Sequence, residues 1–271
     1  GDGVGGAPGG DGAPLGVVGG VGDLPEGVGD GGAAAEGVVG VPGAVGGGVG
    51  LPGDVLVGEL GFNLEVTPAV MESSISEHGI GFMFAQKLHP KFARVAPLRR
   101  ELGIRTIFNM FGPLCNPAGA TRMVVGVFDN RLTELFAGAL QGLGVKHALV
   151  VHGNDGLDEI SCCDTTRVSE LKDGRITSYE IYPEMLLGET FELSEIAGGD
   201  SRQNAAILQA VINGEDRGAC RAVVLLNAAA ACYVAGLADS PEDGIRLAKK
   251  SIDEGKAAEK LKILIQESRT A

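Results

Sequence analysis

The composition of this chain changes abruptly at residue 61, and that break limits what can fold. Residues 1–61 use only seven residue types (Gly, Ala, Val, Asp, Glu, Leu and Pro), and 25 of the 61 are Gly. Gly and Pro interrupt every stretch that could otherwise carry a helical or strand period. A glycine-rich backbone also loses more conformational entropy on ordering than its few apolar side chains can offset. The segment therefore reads as low-complexity and disordered. A second reading is that it is not a native coding sequence. Five of its seven residue types have codons beginning with G, a bias that a displaced frame of a GC-rich gene produces. A third reading, a phosphate cradle around Gly9, Gly10, Asp11 and Gly12, lacks the preceding strand and following helix that would aim its N–H groups. Its eight acids meet no Lys or Arg and supply −8 of the net charge of −13.

Residues 62–271 have ordinary composition and alternate strand-like with helix-like periodicity, which predicts one α/β domain: a central sheet flanked by helices. Thr67 before Pro68 reads as an N-cap followed by proline at the first helical position. Residues 80–85 form an apolar, strand-like run, and residues 90–102 a basic helix closed by Gly103. A strand over 123–128 is followed by a helix over 132–143 with Gly144 at its end. A buried strand over 148–151 comes next. Two edge-like strands, 166–171 and 176–182, are joined by an Asp173-Gly174 hairpin turn. The remainder reads as helices over 204–212, 222–235 and 241–265.

The net charge argues against nucleic acid or an anionic membrane as a partner held by bulk electrostatics. No apolar run is long enough to span a bilayer, and the expected location is the cytoplasm. Five cysteines, with Cys162 and Cys163 adjacent and no C-x-x-C spacing, fit reduced thiols better than a disulfide framework or a zinc site.

Three clusters carry chemistry. The strand ending at Val151 breaks at Gly153 into a polar loop bearing Asp158 and Glu159. An apolar strand, a glycine turn and paired acids present hard oxygen ligands at the carboxyl edge of an α/β sheet, although a neighbouring acid pair is more often solvated surface. Arg99, Arg100 and Arg105 lie with Asn109 and Asn116 within 18 residues beside a Gly112-Pro113 framework. This suits a planar carboxylate or phosphate, though a solvated helix face with Arg–Glu pairs explains any single arginine equally well. His89 precedes Pro90 at a strand-to-helix junction, where it is either a structural residue or part of a binding site.

With these motifs in order, residues from about 60 to the C-terminus resemble anthranilate phosphoribosyltransferases. The resemblance runs through residues 80–90, 99–117 and 152–161, and continues at Gly198, Gly199, Leu226 and Asn227. It implies a catalytic domain of the nucleoside phosphorylase and phosphoribosyltransferase type. The implied reaction transfers phosphoribosyl from phosphoribosyl pyrophosphate to anthranilate in tryptophan synthesis. It further implies Mg²⁺ held by Asp158 and Glu159, Arg99 (or its neighbour Arg100) on the anthranilate carboxylate, and His89 lining the anthranilate channel. No side chain is implied as acid, base or nucleophile; positioning and charge stabilisation do the work. The family's phosphate-binding loops and N-terminal dimerising helices have no counterpart in residues 1–61, which contain no Ser, Thr, Asn, Lys or His. The expectation is therefore an impaired transferase. A non-catalytic binding protein on the same fold and a pyrimidine nucleoside phosphorylase relative stand as alternatives.

Overall fold

The computed structural model describes residues 58–82, 114 and 120–270. Four strands form one mixed sheet in the order β1 (Arg122–Gly126), β2 (His147–Gly153), β3 (Thr166–Lys172), β4 (Arg175–Ile181). β1 and β2 run parallel, joined by a crossover through helix α2 (Thr133–Gly142), while β2–β3 and β3–β4 are antiparallel. Helices α1 (Pro68–His78), α3 (Pro183–Leu187), α4 (Ser201–Ile212), α5 (Ala219–Ala235), α6 (Pro241–Asp253) and α7 (Lys256–Arg269) accompany the sheet, with two short 3-10 helices at Asn130–Leu132 and Leu193–Ile196. The α/β class expected from the sequence is the one observed.

β2 is buried on both faces, and its period of two divides the core. Ala148 and Val150 face α2, packing with Val125, Phe136, Ala137, Leu140 and Leu171. Leu149 and Val151 face α5, packing with Ile160, Val168, Val223, Leu226 and Ala230. Each fully buried Val, Leu or Ile side chain there stabilises the fold by about 1.5–3 kcal/mol relative to exposure. α5 is apolar on almost every side, with 13 of its 17 residues buried, as suits a helix covered all round. One face meets the sheet; the other meets α4 and α6 through Val224, Leu225, Ala228, Leu208, Ala248 and Ile252.

The ends of these elements follow from local chemistry. Thr67 caps α1, its Oγ1 accepting from the Val70 N–H at 3.4 Å, with Pro68 at the first turn as expected. The hairpin turn has φ of 51° at Asp173 and 70° at Gly174, the pair of positive values that a two-residue type I′ turn requires. The sequence predicted one helix over 241–265. Two are found, because the chain breaks at Glu254 and Gly255 before α7 begins.

Two further expectations are corrected. Ile80–Phe82 are not in a strand: they plug the helical layer. The Ile80 carbonyl accepts from Ser74 Oγ at 2.7 Å, and Phe82 stands edge-on to Phe62 with ring centroids 5.2 Å apart. β3 is interior rather than edge-like, because its polar residues find partners. Ser169 bonds Thr133 and Ser178 (2.9 Å each), and Glu170 accepts from Tyr233 at 2.9 Å and Tyr179 at 3.1 Å and pairs with buried His147 at 2.9 Å. These bonds, that to His147 foremost, hold the Glu170 carboxyl below its ordinary range. Among the described residues no helix is long and apolar enough to cross a membrane.

Candidate functional site

β2 ends at Gly153 and β3 begins at Thr166; the loop between them stands at the carboxyl edge of the parallel pair β1–β2. Its conformation is set from within. Gly153 N–H donates to Leu157 O at 2.7 Å and Gly156 N–H to Gly153 O at 2.9 Å, while Asp155 Oδ1 accepts from Leu157 N–H at 3.2 Å. The other Asp155 oxygen accepts from Ser161 Oγ, which itself accepts from the N–H groups of Cys163 (2.9 Å) and Asp164 (3.3 Å). Ser161 N–H in turn donates to Thr166 Oγ1 at 3.0 Å, and both of these residues are fully buried. A short aspartate that bonds its own backbone two residues on makes this turn without help from helix or sheet.

Two outside contacts grip the loop where Asp158 and Glu159 sit. A methyl group on Gly126, the last residue of β1, would overlap the Asp158 carbonyl oxygen and stand 2.8 Å from its carbon. Glycine is required there for close approach of two backbones. On the other side, Asn227 of α5 bonds both backbone groups of Ile160, accepting from its N–H at 3.0 Å and donating to its carbonyl at 2.9 Å.

Asp158 is exposed and Glu159 half-buried. Loss of water, and secondarily the neighbouring Asp158, push the Glu159 carboxyl well above its ordinary range. A carboxyl so placed favours its neutral form unless a cation stands beside it. Among the described residues no cluster of three His, Cys, Asp or Glu side chains forms a self-sufficient metal site. Two carboxylates leave most of an octahedral shell to water and phosphate oxygens, which fits a small divalent ion that arrives with a phosphorylated ligand.

Neighbouring polar groups are already committed. Asp129, also beyond the carboxyl end of β1, is held well below the carboxylate range by Arg131, whose Nε lies 2.9 Å from its Oδ1. His152 Nδ1 lies 2.7 Å from the Val127 carbonyl; since that oxygen only accepts, the proton sits on Nδ1 and the ring is fixed. Cys162 and Cys163 thiols are 3.8 Å apart, and burial pushes both upward, so neither is a thiolate nucleophile at neutral pH.

Of the residues singled out from sequence, Asp158 and Glu159 come together at the sheet's carboxyl edge. His89, Arg99 and Arg100 lie outside the described residues. Gly126, Asp155, Ser161 and Asn227 were given no role from sequence. Asp155 was legible in principle, as an aspartate two residues before an apolar position in a glycine-bounded loop.

A family profile described as glycosyl transferase family, a/b domain, matches residues 43–258. The chain belongs to this family. Similar curated proteins are the anthranilate phosphoribosyltransferases of Desulfosudis oleivorans, 49% identical over 207 residues (76% of this chain, 61% of that protein), and of Syntrophobacter fumaroxidans, 49% identical over 211 residues (78% and 62%). Among solved structures, anthranilate phosphoribosyltransferase from Thermus thermophilus aligns with a TM-score of 0.74 at 38% identity, covering 80% of this chain and 64% of that one. The enzyme from Saccharomyces cerevisiae in complex with PRPP and Mg aligns with a TM-score of 0.74 at 27% identity, covering 81% and 63%. The chain thus spans about three fifths of the length of the curated relatives it matches.

Proposed function

We propose that this chain carries the metal-binding side of an anthranilate phosphoribosyltransferase site. The observation that carries the reading is the Asp158–Glu159 pair, gripped by backbone contacts at the carboxyl edge of β1–β2, in a chain 49% identical to enzymes of that name. Asp158 and Glu159 would hold Mg²⁺ against the pyrophosphate of phosphoribosyl pyrophosphate. When bound, the ion neutralises charge that builds on the departing pyrophosphate. In the reaction the amine nitrogen of anthranilate bonds to the ribose anomeric carbon, the bond from that carbon to pyrophosphate breaks, and one amine proton passes to solvent. An aryl amine is already neutral at pH 7, so the chain's task is to orient it. Arg99, or Arg100 one helical step (about 100°) away, would take the carboxylate through its planar fork, and His89 would line the channel.

Residues 1–61 offer none of the Ser, Thr, Asn, Lys or His side chains from which a phosphate cradle is built. Turnover by this chain is therefore expected to be low, and the same observation favours a second reading, a binding protein that keeps the fold. Anthranilate titrations separate the two. Binding that is lost in Arg99→Ala or Arg100→Ala supports the enzyme lineage, while no binding by the parent chain or by either variant supports the second reading. Robust turnover by the purified chain would overturn the expected impairment.

A further inference from the structure

Asn227 is a half-buried polar residue on helix α5, which is apolar apart from it, Arg221 and Tyr233, and its side chain makes three bonds. Oδ1 accepts from Ile160 N–H at 3.0 Å; Nδ2 donates to Ile160 O at 2.9 Å and to Val223 O, one turn back in its own helix, at 2.9 Å. The orientation of the amide is fixed by its partners. One N–H needs an acceptor and two carbonyls need donors, and the flipped amide satisfies none of the three. The bond to Val223 sets the rotamer; the other two treat Ile160 as a neighbouring strand would.

Ile160 directly follows Glu159, and its side chain is buried among Val223, Leu226 and Ala230. The residue is therefore pinned by its side chain and by both of its backbone groups. On the far side, the backbone of Gly126 presses against the Asp158 carbonyl. These two contacts hold the main chain at Asp158 and at Ile160, on either side of Glu159 in the sequence.

We infer that Asn227 is a positioning residue: it holds the Asp158–Glu159 backbone in the geometry that receives the divalent ion before a phosphorylated ligand arrives. This rests on the metal role proposed above for the acid pair. Fixing ligands through their outer partners is worth on the order of 10–100-fold in metal affinity at well-studied sites.

The test uses the intact chain and two readouts, amide hydrogen exchange and Mn²⁺ binding followed by electron paramagnetic resonance. In Asn227→Ala the Ile160 amide should exchange at least tenfold faster, while the Val150 amide in the sheet core keeps its parent rate. Mn²⁺ affinity should fall about tenfold. Asn227→Ser, a milder change that can restore one bond at most, should fall between, and keeps the test available should the alanine variant fold poorly. Val211→Ala, a core change among the helices, should lower stability without altering Mn²⁺ affinity, which separates positioning from general loosening. An Ile160 amide as slow in Asn227→Ala as in the parent would overturn the clamp. Parent-like Mn²⁺ affinity in Asn227→Ala would overturn its role in cation binding. Mn²⁺ binding that survives both Asp158→Asn and Glu159→Gln would overturn the metal reading itself, whatever the exchange rates show.

Discussion

Gly126→Ala places one methyl group where β1 meets the loop that carries Asp158 and Glu159. The added carbon would overlap the Asp158 carbonyl oxygen and lie 2.8 Å from the carbonyl carbon. Carbon–carbon contacts are optimal at about 3.5–4.0 Å and the overlapped oxygen needs a comparable clearance, so the Asp158 carbonyl must retreat by more than about 1 Å. The obstacle is backbone, so no flexible side chain can swing away to relieve it. Retreat is opposed by the Gly153–Leu157 bond at 2.7 Å and by the Asn227 grip on Ile160. Overpacking of this kind costs about 1–3 kcal/mol, against a gain of about 0.5–1 kcal/mol for replacing glycine within a strand. The difference spans about 0–2.5 kcal/mol, and outright overlap with a backbone oxygen puts the expectation near the upper end, a loss of about 2 kcal/mol. With no Trp and three Tyr, the chain is better followed by far-ultraviolet circular dichroism than by fluorescence in a urea titration. The effect on the site should exceed the effect on stability, since a misplacement of about 1 Å costs on the order of a hundredfold where geometry governs function. A Gly126→Ala protein as stable as the parent, with unchanged affinity for Mn²⁺ and pyrophosphate, would refute the close-approach argument.

The same comparison of strain with propensity applies at Gly244, where α6 crosses α5: an added methyl would lie 2.9 Å from both the Cα and the carbonyl carbon of Ala229. The helix-propensity gain of about 1 kcal/mol is smaller than an overpacking cost of about 1–3 kcal/mol, so Gly244→Ala should lower the urea midpoint. Glu170 yields a prediction in pH. Its carboxyl is held below the ordinary value of 4.5, chiefly by His147, so it contributes stability that is fully present above that value and is lost as pH falls through the lowered one. Glu170→Gln should therefore flatten the acid limb of the thermal midpoint against pH below about 4.5, with the parent and variant curves converging toward low pH.

Much of the framework was legible because it depends on short-range chemistry. The cap at Thr67, the proline behind it and the Asp173-Gly174 turn are each set by a few adjacent residues. β2 was legible from its apolar run. Features governed by distant partners were not. β3 looked like an edge strand because Ser169 and Glu170 are polar, and only Thr133, Ser178, Tyr179, Tyr233 and His147 make them tolerable inside. Ile80–Phe82 carry the residue types of a strand, yet their partners are Phe62 and Leu264 in the helical layer. The break at Glu254 and Gly255 was marked in the sequence by Gly255 alone, and a single glycine within a helical pattern is a weak stop signal. At the site, the acid pair could be picked out by its setting after a strand and a glycine. The grip of Asn227 could not, since it acts across 67 residues of sequence through an amide that by itself looks like any buried polar group.

The most direct test of the account is calorimetric titration of the chain with pyrophosphate, with and without Mg²⁺, repeated in Asp158→Asn and Glu159→Gln. Binding should require Mg²⁺ and weaken at least tenfold in each variant, since loss of a charged ligand should cost no less than the roughly 10–100-fold that loss of a ligand's outer partner costs. Pyrophosphate binding that is equally strong without Mg²⁺, or unchanged in both variants, would contradict the account.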